Sequence, residues 1–232
     1  MYIGILGSGQ VAQTIGAKLL EKRHSVMLSS RNIDAVKDKG QWGKLQSARE
    51  WKDEQEKKGY DAYVSDFQEA AAHGELIFNC TAGAGSLEAI KSAGEENFSG
   101  KILIDLANPL DFSKGMPPTL SVSNTTSLGE QIQAALPGTK VVKTLNTVSA
   151  MIMVKPGLVR GKHDLFMAGN DETSKEWVKK NVLMGWFGWK SIIDLGDISS
   201  ARGTEMYLPL WLRLMGALNT SNFNIKVVKG ST

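Results

Sequence analysis

Gly7-Ser8-Gly9-Gln10-Val11-Ala12 is the first stretch of this chain whose residue types and spacing suit a chemical task. It matches G-x-G-x-x-A. In such a turn the first glycine permits a sharp bend and the second lets the backbone approach a pyrophosphate. The small third residue lets the next helix pack close to the preceding strand. That helix points its free N–H groups at the phosphates. The apolar run "YIGIL" before the turn, and Val11, Ile15 and Leu19 at helical spacing after it, supply the context that a lone match lacks. The turn reads as a dinucleotide site, with a merely tight strand-to-helix turn as the alternative.

The adenosine ribose is expected at the end of the second strand, about 20 residues beyond the glycines. There the chain reads "LSSRN", with Ser30 and Arg31 where an acid often stands. An acid would accept from a free 2′-hydroxyl and repel a phosphate. Ser30 offers a hydroxyl donor and Arg31 a fixed cationic fork. The pair suits a 2′-phosphate, hence NADP(H) rather than NAD(H). The alternative is an ordinary surface arginine.

"NCTAG" closes the fourth strand and brings Thr81 and Ala82 along the dinucleotide, with Cys80 as a small buried filler. "ANPLD" closes the fifth and places Asn108 and Pro109 at the nicotinamide end, unless it is only a proline-driven turn. His24, His73 and His163 are scattered, and none has a neighbour at metal-ligand spacing. G-x-S-x-G is absent. No catalytic side chain and no metal site is therefore assigned. Tyr207, Trp211, Leu214 and Leu218 recur at helical spacing, widened by Leu210 and Met215. That face suits core, a dimer interface or the wall of a site for a flat aromatic substrate. Pro209 is expected to kink this helix or restart it.

The elements that position these residues follow from apolar pattern. Strands are expected over 2–6, 24–30, 62–67, 75–81, 101–107 and 140–145, with helices from Gln10, over 86–93 and from Ser127. Ser127 and Glu130 have capping-box spacing. Two more strands, 164–170 and 189–196, flank a helix carrying Trp177 and Val178, and a last helix follows Asp197. Near-continuous apolar strands alternating with helices predict an α/β fold with a doubly wound parallel sheet. The stretch from Ile33 to Tyr60 breaks the rhythm. Its charged half, "SAREWKDEQEKKG", reads as a solvated decorating helix, or else as a flap over the cofactor with Trp42 as an adenine or oligomer contact.

The 232 residues contain 42% hydrophobic and 22% charged residues, with a net charge of +3, a balance that gives no case for nucleic acid. One cysteine excludes an internal disulfide and suits a reducing compartment. The N-terminus lacks a basic signal-peptide region, and no apolar run approaches the ~18 residues of a membrane span. A cytoplasmic protein is expected.

"KTLNTVSAMIM", taken with "GSGQVAQTIG", "SSRN", "DLANPLDF", "AGNDETSK" and "DLGDISSARGTEMYLPLWLRL", resembles the F420-dependent NADP oxidoreductase family, a group that also includes the NADPH-binding domains of membrane metalloreductases. The resemblance covers nearly all of the chain outside 33–60. It implies a Rossmann domain over 1–150, with the 33–60 insert, and a small C-terminal α/β extension over 151–232, usually dimeric. It also implies hydride transfer between NADPH and a planar acceptor, an F420-type deazaflavin or a flavin. By the same resemblance Ala150, with Asn146 nearby, meets the nicotinamide carboxamide. Where archaeal members read His-Thr-Ile-Pro-Ala, this chain has Asn146-Thr147-Val148-Ser149-Ala150, the form of the metalloreductase group, whose acceptor is a flavin. Rival readings are a non-catalytic NADP(H)-binding redox sensor and a reductase of a small carbonyl or imine.

Overall fold

The computed structural model describes residues 1–38 and 44–230. Trp42, and with it the flap contact expected there, lies outside the described residues. Eight strands form one sheet: β1 (Tyr2–Leu6), β2 (Ser25–Ser29), β3 (Ala62–Ser65), β4 (Leu76–Asn79), β5 (Ile102–Asp105), β6 (Lys140–Thr144), β7 (Leu165–Ala168) and β8 (Ile192–Asp194). Their order is β8-β7-β6-β5-β4-β1-β2-β3. Every neighbouring pair is parallel except β6 and β7. The order 3-2-1-4-5-6 is that of a Rossmann sheet, and the strand order reverses between β1 and β4. That switch point opens a crevice at the carboxyl ends of the strands. The last two strands extend the same sheet beyond β6.

The strands alternate with helices α1 (Gln10–Glu21), α2 (Ala48–Lys57), α3 (Phe67–His73), α4 (Ser86–Ala93), α5 (Leu128–Ala135), α6 (Ala150–Val154), α7 (Glu172–Trp177), α8 (Ala201–Met206) and α9 (Leu208–Leu218). Two apolar clusters cover the two faces of the sheet. One centres on Ile3, Ile15, Phe78 and Val142, the other on Leu6, Ile77, Leu103 and Ile132. Ser127 caps α5 by accepting from the Glu130 N–H, as its spacing predicts.

The charged helix is a correction to the sequence reading. α2 begins with a full capping box between Ser47 and Glu50. Its outer face is solvated, but Ala48, Trp51 and Gln55 point inward and Trp51 is 2% exposed. The indole fills the space left by Gly16 of α1, where an added Cβ would stand 2.9 Å from the ring. α2 is therefore the packed crossover between β2 and β3. Its high charge density hid one apolar face of a single turn's width.

β7 and β8 are joined by α7, which runs on into π-helical turns over Val178–Trp186. Tyr207 separates α8 from α9, so Pro209 marks a restart in the first turn of a new helix. α9 is not internal core. Only Leu208 is buried, while Leu210 and Leu218 are 56% and 54% exposed. The chain then turns at Asn219, in the left-handed region, and runs back along β7, where the Asp164 N–H donates to Ile225 and the Asp164 carboxylate accepts from the Val227 N–H.

Candidate active site

The glycine turn sits at the switch point. Gly7 has φ +115°, and an added Cβ there would stand 2.9 Å from the Cys80 carbonyl oxygen, so a side chain fits neither the conformation nor the space. The Gly7 N–H donates to Ser29 Oγ, which in turn donates to the Ile5 carbonyl. Ser29, the first serine of "LSSRN", is fully buried and braces the turn. Gly9 differs from Gly7. A Cβ on it meets no protein atom within 4 Å, so its cradle is open on the solvent side. Gly9 leads into α1, whose first turn has no side-chain cap and no acid. Within α1 itself no acid or side-chain cap offsets the positive end of the helix, which favours an anion.

Two clefts meet at this turn. The larger, ≈ 630 Å³, runs from Gly7, Ser8 and Gly9 to Ser30, Arg31 and Asn32 at one end, with Thr81, Ala82 and Glu88 along the other side. Ser30 Oγ donates to the Asn32 carbonyl and accepts from its N–H, so the loop closes on itself and leaves Arg31 at the rim. Arg31 is exposed and pairs with no carboxylate among the described residues. Ser30 is thus less available as a donor than its type suggests, and Arg31 is the group free to meet an anion. Thr81 presents its edge, because its hydroxyl and N–H both go to Asn79 Oδ1. Cys80 is buried beneath the cleft, and burial pushes its thiol well above the ordinary cysteine range. It is a filler and not a nucleophile.

The second pocket, ≈ 350 Å³, begins at Gln10 and Val11, the two residues that follow the turn. It is lined by Asn108, Asn146, Ser149 and Ala150, here called its bed, by Leu208 and Trp211 of α9, its wall, and by Ser221 and Asn222 from the returning tail. Leu145, at φ +64°, turns the backbone sharply after β6 and delivers Asn146 to the pocket. Such a conformation in a residue other than glycine costs of order 1–3 kcal/mol and marks a place held by its surroundings. Asn146 Nδ2 donates to Asn108 Oδ1 at 3.0 Å, and Asn108 Nδ2 donates back to the Asn146 carbonyl at 2.9 Å. Asn146 Oδ1 remains buried without a partner, as do Thr147 Oγ1, Ser149 Oγ and Trp211 Nε1. A buried polar atom left unmet costs about 1–3 kcal/mol. Several at one pocket suit a polar ligand edge docking there.

The structure brings Gly7, Ser8, Gly9, Ser30, Arg31, Thr81 and Ala82 to the larger cleft and Gln10, Val11, Asn108, Asn146 and Ala150 to the second. Pro109 lines neither. Its carbonyl accepts from Ser121 and anchors a small hairpin that pairs Leu110–Asp111 with Thr119–Leu120. Trp211 lines the second pocket as a wall, whereas Tyr207 does not. Glu88 and the tail residues Ser221 and Asn222 escaped the sequence reading, and Ser29, one of the hydroxyl pair in "LSSRN", braces the glycine turn. Only the turn-forming run "NTSN" hinted that the tail folds back.

Lys143, on β6, is fully buried with Asp105 and Glu205 at 2.8 Å each. Burial opposes its charge, but the two carboxylates outweigh this and hold its pKa above the ordinary lysine value. It lines neither cleft. No group of His, Cys, Asp and Glu suited to a metal occurs among the described residues, and no described helix is long and apolar enough to cross a membrane.

The family described as NADP oxidoreductase, coenzyme F420-dependent, matches residues 2–109. A solved structure described as an F420-dependent NADP-reductase from Arthrobacter sp. FB24 is 45% identical, covers 99% of this chain and 100% of its own, and has a TM-score of 0.88. Metalloreductase STEAP3 of Rattus norvegicus is 26% identical over 213 residues, which span 90% of this chain but only 37% of that protein. An imine reductase from Myxococcus stipitatus, solved in complex with NADP+, covers 94% of this chain and 64% of its own at 14% identity and a TM-score of 0.64, a likeness of fold alone.

Proposed function

The chain belongs to the coenzyme F420-dependent NADP oxidoreductase family and is an NADP-dependent oxidoreductase; from that premise we propose that it moves hydride between NADPH and a planar acceptor, a deazaflavin of the F420 type or a flavin. The adenosine half of the dinucleotide is assigned to the larger cleft. Arg31 meets the 2′-phosphate there, and Gly9 with the opening of α1 takes the pyrophosphate. The open cradle at Gly9 and the unpartnered Asn146 Oδ1 both fit this group. Asn146 Oδ1 accepts from the nicotinamide carboxamide, held in register by its bonds to Asn108. When bound, NADPH supplies the hydride, and the protein supplies orientation. Residues 1–150 hold the cofactor. Residues 151–232 close the acceptor side with Leu208 and Trp211 and present α9 to a second copy of the chain.

The make-up of the second pocket carries the acceptor reading. None of its described lining side chains titrates near neutral pH, and its walls are Val11, Leu106, Val148, Met151, Met153, Leu208 and Trp211 around a few neutral polar groups. Reduction of a carbonyl or imine calls for a proton donor at the reacting atom. Hydride transfer between two rings depends mainly on face-to-face placement. The test is NADPH oxidation by the purified protein against F420, FMN, FAD, a quinone, a small ketone and an imine. Turnover is expected with a tricyclic acceptor, and Trp211→Ala should raise that acceptor's KM while leaving NADPH affinity nearly unchanged. Turnover with the ketone or imine alone would reject the planar acceptor. Binding of NADPH with no turnover on any of them would favour a sensor.

A further inference from the structure

Lys143 takes no part in the reading above, yet its ammonium draws three segments together. It donates to Asp105 Oδ2 at the end of β5, to Glu205 in α8 and to the Ala107 carbonyl. Asp105 Oδ1 also accepts from Asn79 Nδ2 at 2.8 Å and from the Ala107 N–H at 3.1 Å. The Glu205 oxygens accept from the N–H groups of Leu128 and Gly129, at 2.8 and 3.0 Å, where α5 begins. Two carboxylates face one ammonium, and the start of α5 offsets the excess negative charge. Apolar side chains of similar shape commonly serve a fold as well as a buried ion set does, so stability alone is a weak reason for this one.

Its placement supplies another. One link from Lys143 runs through Ala107 to Asn108, which bonds to Asn146 in the bed of the second pocket. The other runs through Glu205 in α8 to Leu208 and Trp211, which line the same pocket, across the single break at Tyr207. On the adenosine side, Thr81 is held directly by Asn79 and Ser86, and the ammonium reaches it only at second hand, through Asp105 and the Asn79 amide. We propose that Lys143 is a positioning residue that sets the separation between the Asn108–Asn146 bed and the Leu208–Trp211 wall. The nicotinamide half of the dinucleotide depends on it, and the adenosine half does not. This inference rests on the NADP(H) reading of the two clefts.

Calorimetry with two probes tests it: 2′,5′-ADP, which fills only the adenosine end, and NADPH, which fills both. Lys143→Met should leave 2′,5′-ADP affinity within about twofold and weaken NADPH about tenfold. The emission of bound NADPH should also move toward that of the free cofactor. Lys143→Met strands two buried carboxylates, so a triple variant, K143M with D105N and E205Q, keeps the shape without the charges. It should fold and show the same split. Equal loss of both probes in the folded triple variant, or no loss of either, would overturn the proposal while the cofactor reading stands. A wild-type protein that binds neither probe would bring down both.

Discussion

The cofactor selection we propose for Arg31 calls for no preformed cage. Its guanidinium sits exposed at the rim of the larger cleft, beside a loop that Ser30 and Asn32 close by bonding to each other. Selectivity should therefore rest on the arginine more than on the serine. A charge-assisted bond contributes roughly 1.5–3 kcal/mol. Arg31→Ala is thus expected to weaken NADPH about 10- to 100-fold, with NADH nearly untouched. Binding titrations with the two cofactors measure this directly, and equal losses would remove the 2′-phosphate from this end of the cleft.

At the scale of elements, α2 shows that a charged segment can still be core. Lys52–Glu56 and Lys58–Glu54 pair along its outer face, and such exposed pairs add little stability. Trp51 does more, being 2% exposed and seated at Gly16 on the back of α1. Removing a buried tryptophan side chain commonly costs about 3–5 kcal/mol. Trp51→Ala should lower unfolding stability by about that much in urea. It should change NADPH affinity little, because α2 lines neither of the two clefts. A large loss of affinity in a still-folded variant would instead make the segment a flap.

At the scale of the whole molecule, α9 leaves apolar surface that the other described residues do not cover. Leu210 and Leu218 stand exposed, with Trp211, Leu212, Leu214 and Met215 only half buried. A contiguous exposed patch of this kind marks an interaction site more often than plain surface. A second copy of the chain is the expected cover, in an isologous pair. Light scattering at micromolar concentration should report a dimer. Leu210→Asp combined with Leu218→Asp should give a folded monomer. A wild-type monomer would leave α9 for another partner.

Much of the architecture was legible in local pattern, because burial on both faces of a parallel sheet forces near-continuous apolar strands such as "YIGIL" and "KILID". The glycine turn was equally legible, since its spacing serves backbone geometry that few other residues permit. The second pocket was only partly so. Asn146 and Ala150 were marked by resemblance, but the pairing of Asn146 with Asn108, and the return of Ser221 and Asn222, join residues far apart in the chain. Trp51 was hidden because a helix face one turn wide leaves few apolar positions among charges. Lys143, Asp105 and Glu205 each read alone as an ordinary charged residue. Charge by itself predicts exposure. Only the meeting of β5, β6 and α8 around one ammonium makes its burial tolerable, and that meeting is a property of the tertiary structure.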